Sequence, residues 1–293
     1  MMRITDDSNY RNILQDIQRI AERMQKAQNQ VSSGKKLNRP SDDPSAAADV
    51  VRIDSEHAAN AQYLDNISTA QSRLQFADTA LDGVQLAVER IRTLALLAED
   101  SHAAASSSIA EISGLRDQLL SSANSTFDGQ FIFGGSKTQT PAYVKESDGS
   151  VTYAGNSDAM KLQIGRVATL QTQIPGDEIF SGSVDIFKTV TDLVSALKSD
   201  DKSAIQLQVA NLGRFSQALS SARSHLGGLI NVANSSENEL KQIDLAQTAQ
   251  LSQLQDADLA RALSEFSQSQ TALQAATAVG ARVSSISLLD YLK

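Results

Sequence analysis

The sequence predicts a mainly α fold: an elongated antiparallel helical bundle or coiled coil formed by the N- and C-terminal regions, with a small β-rich insertion at the far end. Three observations predict it. Apolar residues recur at alternating steps of three and four in both halves of the chain. A polar, turn-forming stretch, SSGKKLNRPSDDP at 32–44, interrupts the first of those patterns. Seven of the thirteen aromatics gather between Phe127 and Phe187, where helical periodicity gives way to alternation.

The elements follow in order. After a polar start at Thr5-Asp6-Asp7-Ser8, suited to an N-cap, Tyr10, Ile13, Ile17, Ile20, Met24, Ala27 and Val31 make one apolar seam, predicting a first helix over about Ser8 to Ser33. Gly34 supplies its stop, because glycine enters the left-handed region without steric cost. Asp43 before Pro44 supplies the restart, an aspartate N-cap with proline at the first helical position. Ile67, Ala70, Leu74, Ala77, Leu81, Val84, Val88, Ile91, Ala95 and Ala98 then alternate without a miss, predicting a helix from Pro44 to Glu99, roughly 80 Å long at ~1.5 Å per residue. The stretch EDSHAAASSS, Glu99 to Ser108, reads as a bend, with helix resuming from Ile109 to Thr126.

In the middle, AYVKESDGSVTYAG (Ala142 to Gly155) reads as a hairpin with Asp148-Gly149 as a two-residue turn, and MKLQIG and TLQTQI as further strands. Gly134-Gly135 fits a tight turn at the entrance to this unit and lacks the spacing of a phosphate loop. From Phe187 the helical signal returns. Ile205, Leu212, Leu219, Leu226, Ala233, Leu240, Gln247 and Leu254 fall every seventh residue, with a register change at Asp256 to Asp258. Leu259, Leu263, Phe266, Leu273, Val283 and Ile286 mark a terminal amphipathic helix. The plan divides the chain into a terminal-helix domain (1–43 with 256–293), a rod (44–128 with 187–255) and a β-rich subdomain (129–186).

Composition excludes several functions. A net charge of -8 argues against nucleic-acid binding, which depends on cations meeting phosphates. With no cysteine there is no disulfide, thiolate nucleophile or cysteine-bound metal. No run of eighteen apolar residues is present for membrane insertion, and the N-terminus has no apolar core of a cleavable signal. His57, His102 and His225 are isolated, so no metal or other cofactor is expected, and no polar constellation points to an enzyme. Asp42-Asp43, and likewise Asp256 and Asp258, read as helix caps. The end helices either pair only with each other or also pack against neighbouring subunits, folding fully on assembly.

The segment QNQVSSGKKLNRPSDDPSAAADVVRIDSE (Gln28 to Glu56) resembles the N-terminal signature of the bacterial flagellin family. DADLARALSEFSQSQTALQAATAVGARVSSISLLDYLK (Asp256 to Lys293) resembles its C-terminal segment. Within the family, FIFGGSKTQTPA, the compact middle and the tail SLLDYLK resemble hook-filament junction members more than filament flagellins. The resemblance implies an extracellular structural adaptor exported by the flagellar type III apparatus. Implied partners are the adjacent hook-associated protein, flagellin, further copies of the chain, and a cytoplasmic export chaperone on the C-terminal helix. It also implies an intersubunit role for the apolar terminal seams (Ile13, Ile17, Ile20, Met24, Val31; Leu259, Leu263, Phe266, Leu273, Val283, Ile286) and for Lys35, Lys36, Arg39 and Asp43 of the linker. Filament flagellin is the alternative. A coiled-coil signalling protein is a weaker rival, because the capped break and the β insertion have no place in it.

Overall fold

The structure, a computed structural model, describes residues 3–100 and 102–291, and side chains at 8, 11–98 and 106–282. Its elements are α1 (Arg3–Ser33), α2 (Pro44–Asp100), α3 (His102–Ala123), three hairpins, α4 (Gly176–Phe180), α5 (Ile186–Ser199), α6 (Lys202–Gln255) and α7 (Leu259–Tyr291). The hairpins pair β1 (Thr126–Phe127) with β2 (Gln130–Phe131), β3 (Tyr143–Lys145) with β4 (Val151–Tyr153), and β5 (Lys161–Gln163) with β6 (Thr169–Gln171). The fold is therefore mainly α with small antiparallel sheets, as the periodicities predict. Contacts group it into two compact units, 1–59 with 243–293, and 60–242.

The 60–242 unit holds the main core. All ten α2 seam residues named above are at most 4% exposed, and so, within 8%, are the six α6 residues from Ile205 to Leu240. Polar pairs fix the antiparallel register. Arg223 donates to Asp78 (2.9 Å) and Asp82 (2.8 Å), while Gln71 reaches Glu237 (2.8 Å) and Gln85 reaches Ser216 (2.6 Å). Helix α3 folds back alongside α2, with Arg90 Nε 2.7 Å from Glu111, and α5 packs on α3. The bend expected over Glu99 to Ser108 is largely helical, since α2 reaches Asp100 and α3 is already helical at His102. Alanine content explains this: Ala103, Ala104 and Ala105 favour helix more than the serines oppose it.

Three further local expectations are corrected. Helix α1 already runs through Thr5 to Ser8, since an acidic stretch of sequence is as compatible with a first helical turn as with a cap. The helical stretch that begins at Phe187 is itself divided: Asp200, in the left-handed region at φ 55, ends α5, and the Asp201 carboxylate caps α6 by accepting from Ala204 N–H at 3.0 Å. Asp148-Gly149 is not a two-residue turn. Glu146 and Ser150 stay paired, Gly149 N–H closes on Glu146 at 3.0 Å, and Gly149 alone has positive φ, which makes a three-residue loop. Here Asp148 spends its carboxylate on the Ser150 N–H (2.8 Å). The two-residue turn occurs at Asp128-Gly129, where both residues have positive φ (51 and 72) and connect β1 to β2.

The remaining strands match expectation, with Leu162 opposite Leu170 in the β5–β6 pair. Gly134 and Gly135 do form a turn, Lys137 N–H closing on Gly134 O at 3.2 Å. The aromatics concentrate where burial needs large side chains. Tyr143 packs against Tyr153, Phe180 and Phe187 with centroids 5.1, 5.5 and 5.1 Å apart. Its hydroxyl donates to Gly176 O at 2.9 Å. Burial pushes the Tyr143 phenol up, and burial followed by the nearby Asp177 pushes Tyr153 to about 12.

Candidate functional site

The candidate site lies in the unit of 1–59 with 243–293, where the interrupted helices meet. Helix α1 ends as its sequence dictates: Gly34 takes φ 70 and donates its N–H to Gln30 O at 2.9 Å. The following strand-like residues then pair with the second interruption. Lys35 and Asp256 form an antiparallel bridge. Around it, Lys36 N–H reaches Gln255 O at 2.6 Å and Ala257 N–H reaches Gly34 O at 2.9 Å. The two breaks, read separately from the sequence, are thus stitched to each other by main-chain hydrogen bonds.

Side chains complete the junction. Lys35 Nζ donates to Gln255 Oε1 (2.9 Å) and Lys36 Nζ to Gln253 O (2.6 Å). These two lysines therefore already have partners within the chain, and a neighbour's carboxylate would have to share them. Asp42 accepts from the N–H groups of Arg39 (2.9 Å) and Asn38 (3.1 Å). Those two bonds hold its carboxyl below the ordinary 3.8, since they favour the charged form. Asp43 accepts from Ser45 N–H (3.1 Å) and Ala46 N–H (3.0 Å), capping α2 with Pro44 at the first position. Asp258 caps α7 through Arg261 N–H at 3.0 Å. Asp256, expected as a cap, instead sits one residue beyond α6 and accepts from Ser252 Oγ. It follows its helix instead of preceding one, where a carboxylate has no N–H to cap.

From this root α1 and α7 run antiparallel. A methyl built at Gly280 would stand 3.5 Å from Ile13 Cγ2 and 3.9 Å from Ile17 Cδ1, and Ala27 and Ala262 are buried. Yet Ile13, Ile17, Ile20, Met24 and Val31 are only half-buried, as are Phe266 and Leu273. Leu259 and Leu263 are 48% and 53% exposed. The side chains of Val283 and Ile286 lie outside the described residues. Arg39 and Asp43 are exposed on the linker. The contrast with the fully buried α2 seam is the main geometric fact of the site: the chain covers its own terminal seam only in part.

Sequence reasoning missed Gln253, Gln255 and Asn38, and read Asp42 as a helix cap, whereas its carboxylate holds the linker N–H groups of Asn38 and Arg39 and only Asp43 caps α2. A neutral glutamine in a helix gives no signal of a long-range partner; the Asn38 to Asp42 spacing, a side chain able to cap N–H groups three and four residues back, could have been read. His57 lies 3.0 Å from Asp244, and His102 has no described side chain. Among the described residues no three metal-ligating side chains cluster, and no helix is long and apolar enough to cross a membrane.

Paired terminal helices rooted in two stitched breaks, with a separately cored unit carried between the two halves of the sequence, define a helical structural subunit assembled from both chain ends. Residues 4–138 match the family model for the bacterial flagellin N-terminal helical region, and residues 209–292 match that for its C-terminal helical region. The chain belongs to the bacterial flagellin family. It is 27% identical over 295 residues to flagellar hook-associated protein 3 of Escherichia coli K12, covering 90% of this chain and 91% of that one. It is 26% identical over 279 residues to flagellin of Bacillus subtilis 168, covering 87% of each. In fold it resembles a putative flagellar hook-associated protein from Vibrio parahaemolyticus, with a TM-score of 0.69 and 23% identity, covering 73% of this chain and all of the other.

Proposed function

We propose that the chain is the structural adaptor between the flagellar hook and the flagellin filament, packing against the adjacent hook-associated protein on one side and flagellin on the other. The observation that carries this reading is the half-covered terminal seam. Apolar residues at heptad spacing that stay partly exposed in one chain are completed by neighbouring helices. Residues 1–43 and 256–293 then form the inner layer of the assembly. The names of two of the similar proteins, both hook-associated, support the junction over the filament. Export proceeds through the flagellar type III apparatus to the cell exterior, with a cytoplasmic chaperone over α7, whose exposed Leu259 and Leu263 need cover before assembly.

The second reading, filament flagellin, is favoured by the near-equal identity to the Bacillus protein. Sedimentation and electron microscopy of the purified chain, seeded with sheared filaments, separate the two. The adaptor forms finite assemblies; long filaments built from this chain alone would assign it to the filament.

A further inference from the structure

Arg73, on the flank of α2, is 6% exposed, yet every partner of its guanidinium is neutral. Nη1 donates to Gln130 Oε1 at 3.0 Å and lies 3.6 Å from Met160 Sδ, and Nη2 donates to Gln173 Oε1 at 3.2 Å. Nε has no partner. Among the described residues no carboxylate stands within ion-pair distance, and burial, with no charge to offset it, holds the group below its ordinary 12.5. The arginines that link helices elsewhere differ: Arg223 is paired with Asp78 and Asp82, and Arg90 with Glu111. A buried cation without a counter-charge costs more than neutral hydrogen bonds recover, so an apolar side chain of the same length would leave the fold at least as stable.

What the guanidinium has and an apolar chain lacks is a rigid planar fork. Its prongs gather three separate stretches of the β insertion on one helix. Gln130 lies in β2, Met160 immediately precedes β5, and Gln173 lies two residues beyond β6. Gln173 is 1% exposed and passes its Nε2 on to Gly135 O at 2.5 Å, which ties in the Gly134-Gly135 turn. We infer that Arg73 is a positioning residue: it sets where the hairpins sit on α2 and lowers the stability of the fold in doing so. The other contacts of that flank fix the seat less firmly. Asn66 Nδ2 reaches Gln163 O at 2.7 Å near the surface, and Phe76, 37% exposed, meets Phe127 with ring centroids 5.7 Å apart, an apolar contact without the direction of a hydrogen bond. A fixed seat serves an adaptor and a filament subunit alike, since whatever meets the hairpins meets them in one orientation.

The chain has no cysteine, so two nitroxides can be attached at chosen sites: Val167→Cys, 94% exposed between β5 and β6, and Leu86→Cys, 63% exposed on α2. Double electron–electron resonance on the full chain reads the distance between insertion and helix, alongside helical content by circular dichroism and the thermal midpoint. With Arg73 in place, one narrow distance is expected. Arg73→Met fills the space without the fork; its distance distribution broadens or splits while helical content is kept and the midpoint holds or rises. Arg73→Lys keeps the charge but not the planar pair of donors, and broadens the distribution too. A single unchanged distance in either variant overturns the inference, crediting packing in the first case and charge alone in the second. A lower midpoint for Arg73→Met overturns it as well, because the fork would then be a stabilising contact and nothing more.

Discussion

Asp42 and Asp43 are adjacent carboxylates with different work, one locking the linker and one starting α2. Replacing Asp43 with alanine removes an N-cap and costs about 1 kcal/mol, read as a lower thermal midpoint of the unit that holds it. Asp42 adds a pH dependence. Its folded pKa is lowered, so its contribution is complete above the unfolded value of 3.8 and is lost as pH falls through the folded one. Amide shifts of Asn38 and Arg39 should report that acid transition, and Asp42→Asn, which keeps the acceptor but not the charge, should abolish it; an unchanged transition in the variant contradicts the assignment. The tyrosines carry the opposite sign. Tyr143 and Tyr153 are held neutral above the ordinary 10.0, so stability of their unit is full below that pH and falls as pH rises through the folded values, about 12 for Tyr153. Tyrosinate absorbance should show two late phenols that titrate with unfolding, a result contradicted by a single early step with the fold intact.

At the scale of elements, the two faces of α2 give a sharp comparison. Leu81 is fully buried and Leu86, five residues on, is 63% exposed. Leu81→Ala should cost about 2–5 kcal/mol by the cavity it leaves, and Leu86→Ala within about 0.5 kcal/mol, both read by denaturant midpoint. Comparable losses would mean that Leu86 is covered in the isolated chain. The same contrast explains what was legible. Heptad spacing identified the α2 seam residue by residue and the α6 seam from Ile205 to Leu240, because burial on a long helix leaves a regular trace, while Gln247 and Leu254 are only half-buried. The cap at Asp43 and the stop at Gly34 were legible because each needs a particular residue type at one position. The loop at Asp148-Gly149 was misread, since the same dipeptide serves a two-residue and a three-residue hairpin; the choice was made by the Asp148 to Ser150 bond and by the register that keeps Tyr143 opposite Tyr153. The stop at Asp200 was missed because a left-handed aspartate leaves a weaker trace than glycine.

For the whole molecule, the stitch between the two breaks was beyond sequence reasoning, because the pairing of Lys35 with Asp256 joins residues more than two hundred positions apart and uses main-chain groups common to all residues. The family was legible at both chain ends, where helix, break and helix recur in a fixed order. In the proposed adaptor role, the chain completes its half-covered terminal seams between hook and filament. Deleting its gene in the host and imaging cells and culture medium by electron microscopy and immunoblot tests it most directly. The adaptor role predicts hooks without filaments and flagellin shed into the medium. Cells that keep full filaments on their hooks, or bare hooks with no flagellin shed, would contradict it.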